Sequence, residues 1–328
     1  MIQAVPAPVP PFALSVRTVD FDELAQGIPG WDAVFSQVSP GPFRGEFDFL
    51  QLGAVAFCRI AANREILARG AHRPGAFGFG VPTLRQETSL LSGQPVHDGQ
   101  VIFLGPDDTL DQKTCADYQA VFVEVEAADF LAGVGALTRR DVQADLAGKS
   151  LLSPSPGASR RLAAFIRQVF EAARTDRDAL TCSEVQRRLC HGLLSRLAEV
   201  ITDPEGPDAC PRRLSSRRQL VAEAEALMGS RPWGALTMSG LCRELEVSER
   251  SLHYAFRDVL GQTPMAYYRH KRLNAVRRLL KQAGSLQTTV AEVGRAWGFW
   301  HTGQFAADYR RLFGEIPSTT LATACQEE

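Results

Sequence analysis

The sequence predicts an α+β chain in two parts: short antiparallel strands followed by helices, then an all-helical part that uses one motif twice. Three observations lead there. Between Phe43 and Val125, short β-like runs alternate with turn residues. From about residue 127, apolar residues recur every three or four positions, the period of a helix. Beyond residue 235, two stretches match each other at an offset of 52–53 residues. The 328 residues suffice for two domains of ordinary size.

Taken in order, residues 1–13 are Pro-rich and predict a disordered start. Residues 14–203 form the expected first domain. Its strands are expected over Glu46–Leu52, Ala54–Ile60, Ala76–Val81, Gln100–Leu104 and Ala120–Val125, with breaks such as Gly53, Pro74–Gly75 and Asp98–Gly99. Strands this short and this closely spaced suggest a small antiparallel barrel or sandwich with room for a ligand. Helices are expected over Ala127–Leu137, Ala158–Arg174 and Cys182–Ile201. In the last, Val185, Leu189, Leu193 and Leu197 form one apolar stripe. That stripe either covers the strands or pairs with a second copy of the chain, making a homodimer. The polar, helix-breaking run Asp203-Pro204-Glu205-Gly206-Pro207-Asp208 places a linker at 204–212.

Residues 213–322 carry the repeat. Leu241 matches Val293, Leu245 matches Trp297 and Val247 matches Phe299 at an offset of 52. Leu252 matches Phe305, Phe256 matches Tyr309, Gly261 matches Gly314 and Pro264 matches Pro317 at 53, so the second copy holds one inserted residue. Each copy reads as a short supporting helix, a tight turn and a longer helix, the form of a helix-turn-helix unit. Ser248 suits an N-cap, and Thr289 with Glu292 has the form of a capping box. Gly298 permits the second turn, where Phe299 follows. Between the units, Pro264 starts a helix and Gly284 ends it. It carries Arg269, Lys271, Arg272, Arg277, Arg278 and Lys281 around Leu273, Val276 and Leu280.

Charge separates the same two parts. Residues 1–211 carry a net charge of −7 and residues 212–322 a net charge of +8. An acidic part joined to a basic part is the layout expected when one domain meets a polyanion. A helix-turn-helix places its second helix in the major groove, where side chains near the helix start read base edges. The expected base readers are Arg250 and His253 in the first unit and Thr302 and Gln304 in the second, with His301 at its edge. Arg257, Arg310 and Arg311, further along, are expected at phosphates.

These residues resemble the DNA-binding domain of the AraC/XylS family of bacterial transcription regulators. The resemblance runs from about Arg213 to Leu321. It is carried by Ser248, Phe256, Gly261 and Pro264, by Arg272, Leu273, Leu279 and Leu280, and by Gly298, Phe299, Phe305, Tyr309, Gly314, Pro317 and Ser318. Arg272 to Arg278 and Trp297 to His301, with Gln304-Phe305-Ala306 and Asp308-Tyr309, further resemble the ethanolamine-operon regulator branch. That branch responds to ethanolamine and adenosylcobalamin. The likeness weakens before residue 210, so no effector is carried over. The resemblance places base contacts at Arg250, His253 and Tyr254, and at Thr302, Gly303, Ala306 and Ala307. It implies a cupin-like sensing and dimerising domain ahead of them.

The resulting expectation is a sequence-specific regulator that binds double-stranded promoter DNA. It would be a homodimer controlled by a small-molecule effector of unknown identity, with RNA polymerase as a further partner if it activates. No catalytic residue, metal or cofactor is expected. The start lacks a signal peptide's basic and apolar segments, and no run nears the roughly 20 apolar residues of a membrane span. A cytoplasmic location and no membrane partner are therefore expected. The seven cysteines form no Cys-x-x-Cys pair and suit reduced thiols. Two rivals stand beside this reading. A cupin-type metalloenzyme would need clustered histidines, and the first domain offers His72 and His97, widely spaced. A protein-responsive adaptor with a DNA-binding tail would ignore small molecules.

Overall fold

The computed structural model describes residues 12–83, 88–203, 212–230, 234–283 and 288–325. The expected disordered start (apart from residues 12 and 13), most of the expected linker, and Gly284 lie outside the described residues.

In chain order, β1 (Phe12–Thr18) leads into α1 (Phe21–Gln26) and β2 (Asp32–Gln37). Next come β3 (Gly45–Leu52), β4 (Val55–Ala62), β5 (Ile66–Ala71), β6 (Ala76–Pro82), β7 (Ser89–Leu91) and β8 (Gln94–Val96). They are followed by β9 (Val101–Leu104), β10 (Thr109–Lys113) and β11 (Tyr118–Glu126). Then α2 (Ala127–Thr138), α3 (Val142–Leu146) and the two-residue β12 (Leu151–Leu152) precede α4 (Pro156–Thr175) and α5 (Ser183–Thr202). The helical part consists of α6 (Arg212–Ser230), α7 (Met238–Glu244), α8 (Glu249–Leu260), α9 (Pro264–Gln282), α10 (Val290–Ala296), α11 (Thr302–Phe313) and α12 (Pro317–Ala324). Among the described residues no helix is long and apolar enough to cross a membrane.

The strands make two antiparallel sheets, ordered β1-β3-β4-β11-β6-β9-β12 and β2-β5-β10-β7-β8. Each order is open at both ends, so the barrel expected from the resemblance is not closed; the alternative of two packed sheets describes the strands better. Strand alternation builds two apolar layers. On β11, Ala120 and Phe122 join Phe35, Ile66 and Leu110 of the smaller sheet. Val121, Val123 and Val125 face the other way, onto Phe130 of α2, Leu162 and Ile166 of α4 and Leu193 and Leu197 of α5.

That second layer corrects the dimer-helix expectation. Leu193 and Leu197 are fully buried inside the chain's own core, and Val185 and Leu189 pack half-buried at its margin. The stripe packs against α2 and α4, the helices that lie on the larger sheet, so Leu193 and Leu197 cannot meet a second copy.

The strands that alternation did not reveal are mostly those of the smaller sheet. Within it, β2 is an edge strand, with β5 on one side and, among the described residues, no strand on the other. An edge strand leaves backbone donors and acceptors open. Here the helical part closes that edge. The Asn274 carboxamide on α9 accepts from the Gln37 backbone N–H (3.0 Å) and donates to the Gln37 carbonyl (2.9 Å), as a neighbouring strand would. The Gln37 side-chain amide donates to the Leu312 carbonyl at the end of α11, and the Gly41 N–H donates to Arg311 and Leu312 carbonyls. Arg278 donates to the Phe35 carbonyl.

Charges reinforce this seat. Asp20, the N-cap of α1, is 3% exposed and accepts from Arg277 (2.7 Å) and Lys281 (2.5 Å). Burial pushes its carboxyl up, but the two cations outweigh that and hold it down at about 2. Arg278 pairs with Asp22 at 2.8 Å. On the other side of the junction, Arg69 of β5 pairs with Asp111 and with Glu225 of α6, each at 2.8 Å.

Candidate nucleic-acid interface

Two helix pairs, α7–α8 and α10–α11, are built alike. Thr237 caps α7 by accepting from the Gly240 N–H, and Thr289 caps α10 with the reciprocal bonds of a capping box from Glu292. In the turn between helices, the Val247 N–H donates to the Cys242 carbonyl at 3.0 Å; in the second pair the Phe299 N–H donates to the Gly294 carbonyl at 2.9 Å. These donors and acceptors are matched positions, 52 residues apart. So are the two left-handed turn residues, Glu246 (φ 54°) and Gly298 (φ 73°). The first copy bears a left-handed glutamate where the second has the residue that adopts this conformation freely.

The longer helices are anchored by the residues singled out above. Leu252 and Phe256 on α8 and Phe305 and Tyr309 on α11 are buried, four apart in each helix. Both helices end on a left-handed glycine, Gly261 (φ 65°) and Gly314 (φ 80°), whose N–H returns to the carbonyl of Arg257 or Arg310. Buried Pro264 and Pro317 then open the next helices. Between the pairs, α9 is a continuous bar. Arg272 leans from it onto Phe299, 4.0 Å from the ring centre, and donates to the Trp297 carbonyl at 2.6 Å. Gly234, just before α7, lies so close to Gly298 that a Cβ there would fall 2.9 Å from its backbone. Helix bar, arginine and glycine contact together fix the spacing of the two pairs.

With the anchors inside, the remaining faces of α8 and α11 are free. Arg250 and Tyr254 are exposed and His253 is half-buried. The Arg250 guanidinium lies along the helix over the Tyr254 ring, 5.5 Å from its centre. In the second pair Thr302 and Gln304 are exposed, and Gln304 donates to Asp308 at 3.0 Å. Gly303, Ala306 and Ala307 occupy the positions of Arg250, His253 and Tyr254, so the second helix presents little side chain where the first presents most. Arg257, Arg310 and Arg311 are exposed, Arg311 paired with Asp308 at 2.6 Å. On α9, by contrast, three cations turn to the sheet domain: Arg277, Arg278 and Lys281 are taken up by Asp20, Asp22 and Glu23.

Among the described residues no three His, Cys, Asp or Glu side chains are placed to hold a metal. His72 is buried and contacts the Gly105 carbonyl (2.7 Å) and Glu124 (3.4 Å). Between the sheets lies a small apolar cavity of about 30 Å³, lined by Trp31, Phe35, Phe47, Cys58 and Phe122 among others. That is room for about two waters.

Residues 241–323 match the family of helix-turn-helix domains described as "Helix-turn-helix domain". This segment is thus similar to helix-turn-helix domains. The chain is 39% identical over 88 residues to the "Probable thc operon regulatory protein" of Rhodococcus erythropolis, covering 27% of this chain and 26% of that protein. It is 37% identical over 87 residues to the "XylDLEGF operon transcriptional activator 3" of Pseudomonas putida, covering 26% of each. The chain thus matches about a quarter of the length of these relatives. The chain is also similar to the AraC-like transcriptional activator CuxR, with 16% identity, 87% of this chain and 100% of the other covered, and a TM-score of 0.42.

Proposed function

We propose that the protein is a sequence-specific, DNA-binding transcription regulator of the AraC/XylS type. One observation carries this reading: two helix pairs of the same internal geometry, held at fixed spacing, expose the starts of their longer helices on a +8 segment. Each pair acts as one helix-turn-helix unit. Phosphate neutralisation supplies general affinity for the duplex. Discrimination among bases comes chiefly from α8, where Arg250, His253 and Tyr254 reach out. The second unit contributes position and shape more than base reading, because Gly303, Ala306 and Ala307 have so little to read with. The two operon regulators aligned above support this class over an enzyme.

The sheet domain acts as the controlling part. Its edge strand β2 carries Phe35, whose ring lines the inter-sheet cavity while its carbonyl receives Arg278 of α9. A small-molecule effector that favours one arrangement of β2 therefore biases the seat of the bar joining both reading units. At about 30 Å³ the cavity must widen to admit such a molecule. A homodimer would present paired units to two half-sites, with its interface away from Leu193 and Leu197. The ethanolamine-branch resemblance supports shared DNA-binding machinery.

The test is Arg250→Ala on DNA selected by the full chain. The variant is expected to lose roughly 1–3 kcal/mol at one base pair and to relax discrimination there. An equal loss on every sequence would make Arg250 a phosphate contact and remove the proposed reader.

A further inference from the structure

Aligning the two pairs by their N-caps isolates one residue. Ser248 caps α8 and His301 precedes α11 as its N-cap, while Val247 and Phe299 occupy the matched position before. Between Val247 and Ser248 nothing intervenes; between Phe299 and His301 stands Trp300. The inserted residue of the second copy is thus a tryptophan, and it is 68% exposed.

The fold makes no use of that ring. Phe299 already anchors the turn, packed on Phe305 (4.8 Å between centres) and under Arg272. Trp300 sits outside this contact, beside His301, Thr302, Gly303 and Gln304, all exposed. From Arg295 to Ala307 the chain carries no acidic residue, so the ring stands on ground that suits a polyanion. A helix that enters the major groove by its start brings the residue before its N-cap to the groove's rim, where sugar and phosphate lie. An indole offers both groups a partner: a flat apolar face and an N–H that only donates.

We propose that Trp300 is a DNA-backbone contact of the second unit, its ring packed on a deoxyribose and its indole N–H donating to a phosphate oxygen. This rests on the DNA-binding reading above. Trp300 positions α11 on the duplex without reading bases, and so supplies grip where Gly303, Ala306 and Ala307 supply none.

The experiment compares wild type, Trp300→Phe and Trp300→Ala as full chains on a duplex selected by the wild type from a randomised pool. Because the side chain is exposed, both variants should unfold at the wild-type urea midpoint. Trp300→Ala is expected to weaken binding about tenfold, alike on the selected duplex and on single-base variants of it. Trp300→Phe, which keeps a ring but no donor, should fall between. The chain has four tryptophans, so the fluorescence change that wild type shows on adding duplex should largely vanish in Trp300→Phe. Wild-type affinity and wild-type fluorescence change in both variants would overturn the role of Trp300. So would a loss confined to one base pair, or a loss explained by a changed oligomeric state. A wild type that selects no duplex would instead overturn the DNA-binding reading beneath it.

Discussion

Asn274→Ala removes the group that stands in for a neighbouring strand. Gln37 and Asn274 are 0% and 1% exposed, so water does not replace the lost partners without cost. Truncation leaves the Gln37 N–H and carbonyl without their bonds of 3.0 and 2.9 Å, at the edge of a buried seat. A buried polar group left unpaired costs about 1–3 kcal/mol, and partial entry of water recovers some of the sum. The expected destabilisation is therefore about 2–4 kcal/mol. Urea unfolding of the full chain measures it as a lowered midpoint, and amide exchange at Gln37 should accelerate in native conditions. Asn274→Asp should be informative in the same assays. It keeps an acceptor for the Gln37 N–H but sets a carboxylate against the Gln37 carbonyl, so its deficit should shrink as the carboxyl protonates at low pH. A change in Asn274→Ala within about 0.5 kcal/mol, the range of an ordinary surface substitution, with Gln37 exchange unaltered, would refute the strand-substitute account.

Asp20 gives the same junction a pH signature. Its carboxyl is held at about 2, below the ordinary 3.8, so the ionised form is favoured in the folded chain. The stabilisation is complete above about pH 4 and is lost as pH falls toward about 2; the displacement corresponds to about 2–3 kcal/mol. Asp20→Asn should lose that amount at neutral pH and converge on wild type in acid, as read by unfolding midpoints across pH; parallel curves would contradict it. Arg272→Ala should loosen the second unit by releasing the Trp297 carbonyl and uncovering Phe299, seen as faster amide exchange in α10 and α11 with α7 and α8 unaffected. Phe256→Ala, in a fully buried site, should destabilise the chain by about 3–5 kcal/mol, checked by thermal or urea unfolding.

Much of this was legible because repetition and periodicity are local signals. The pairs Leu252/Phe256 and Phe305/Tyr309, the glycines that end both helices and the prolines that follow announce their geometry within a dozen residues. So do the longer strands and α5, whose stripe reported burial correctly but not against what. That ambiguity is physical: an apolar stripe is the same whether it covers a sheet or a second subunit. The junction was not legible. Asn274, Asp20 and Gln37 lie more than 200 residues apart in sequence or in different elements, and their bonds depend on β2 being an edge strand, which strand composition does not reveal. For the same reason nothing in the sequence showed that three basic residues of α9 serve Asp20, Asp22 and Glu23 at the start of α1. That the second copy holds one inserted residue was visible in the repeat; the N-caps and the exposure of Trp300 identify which residue it is.

Selection of duplexes by the full chain from fragmented genomic DNA, followed by titration of the best fragment across salt concentrations, tests the central claim most directly. The account predicts a discrete site whose affinity falls linearly with log salt and exceeds that for unrelated duplex by at least about a thousandfold. Binding that is sequence-blind and abolished by moderate salt would contradict it.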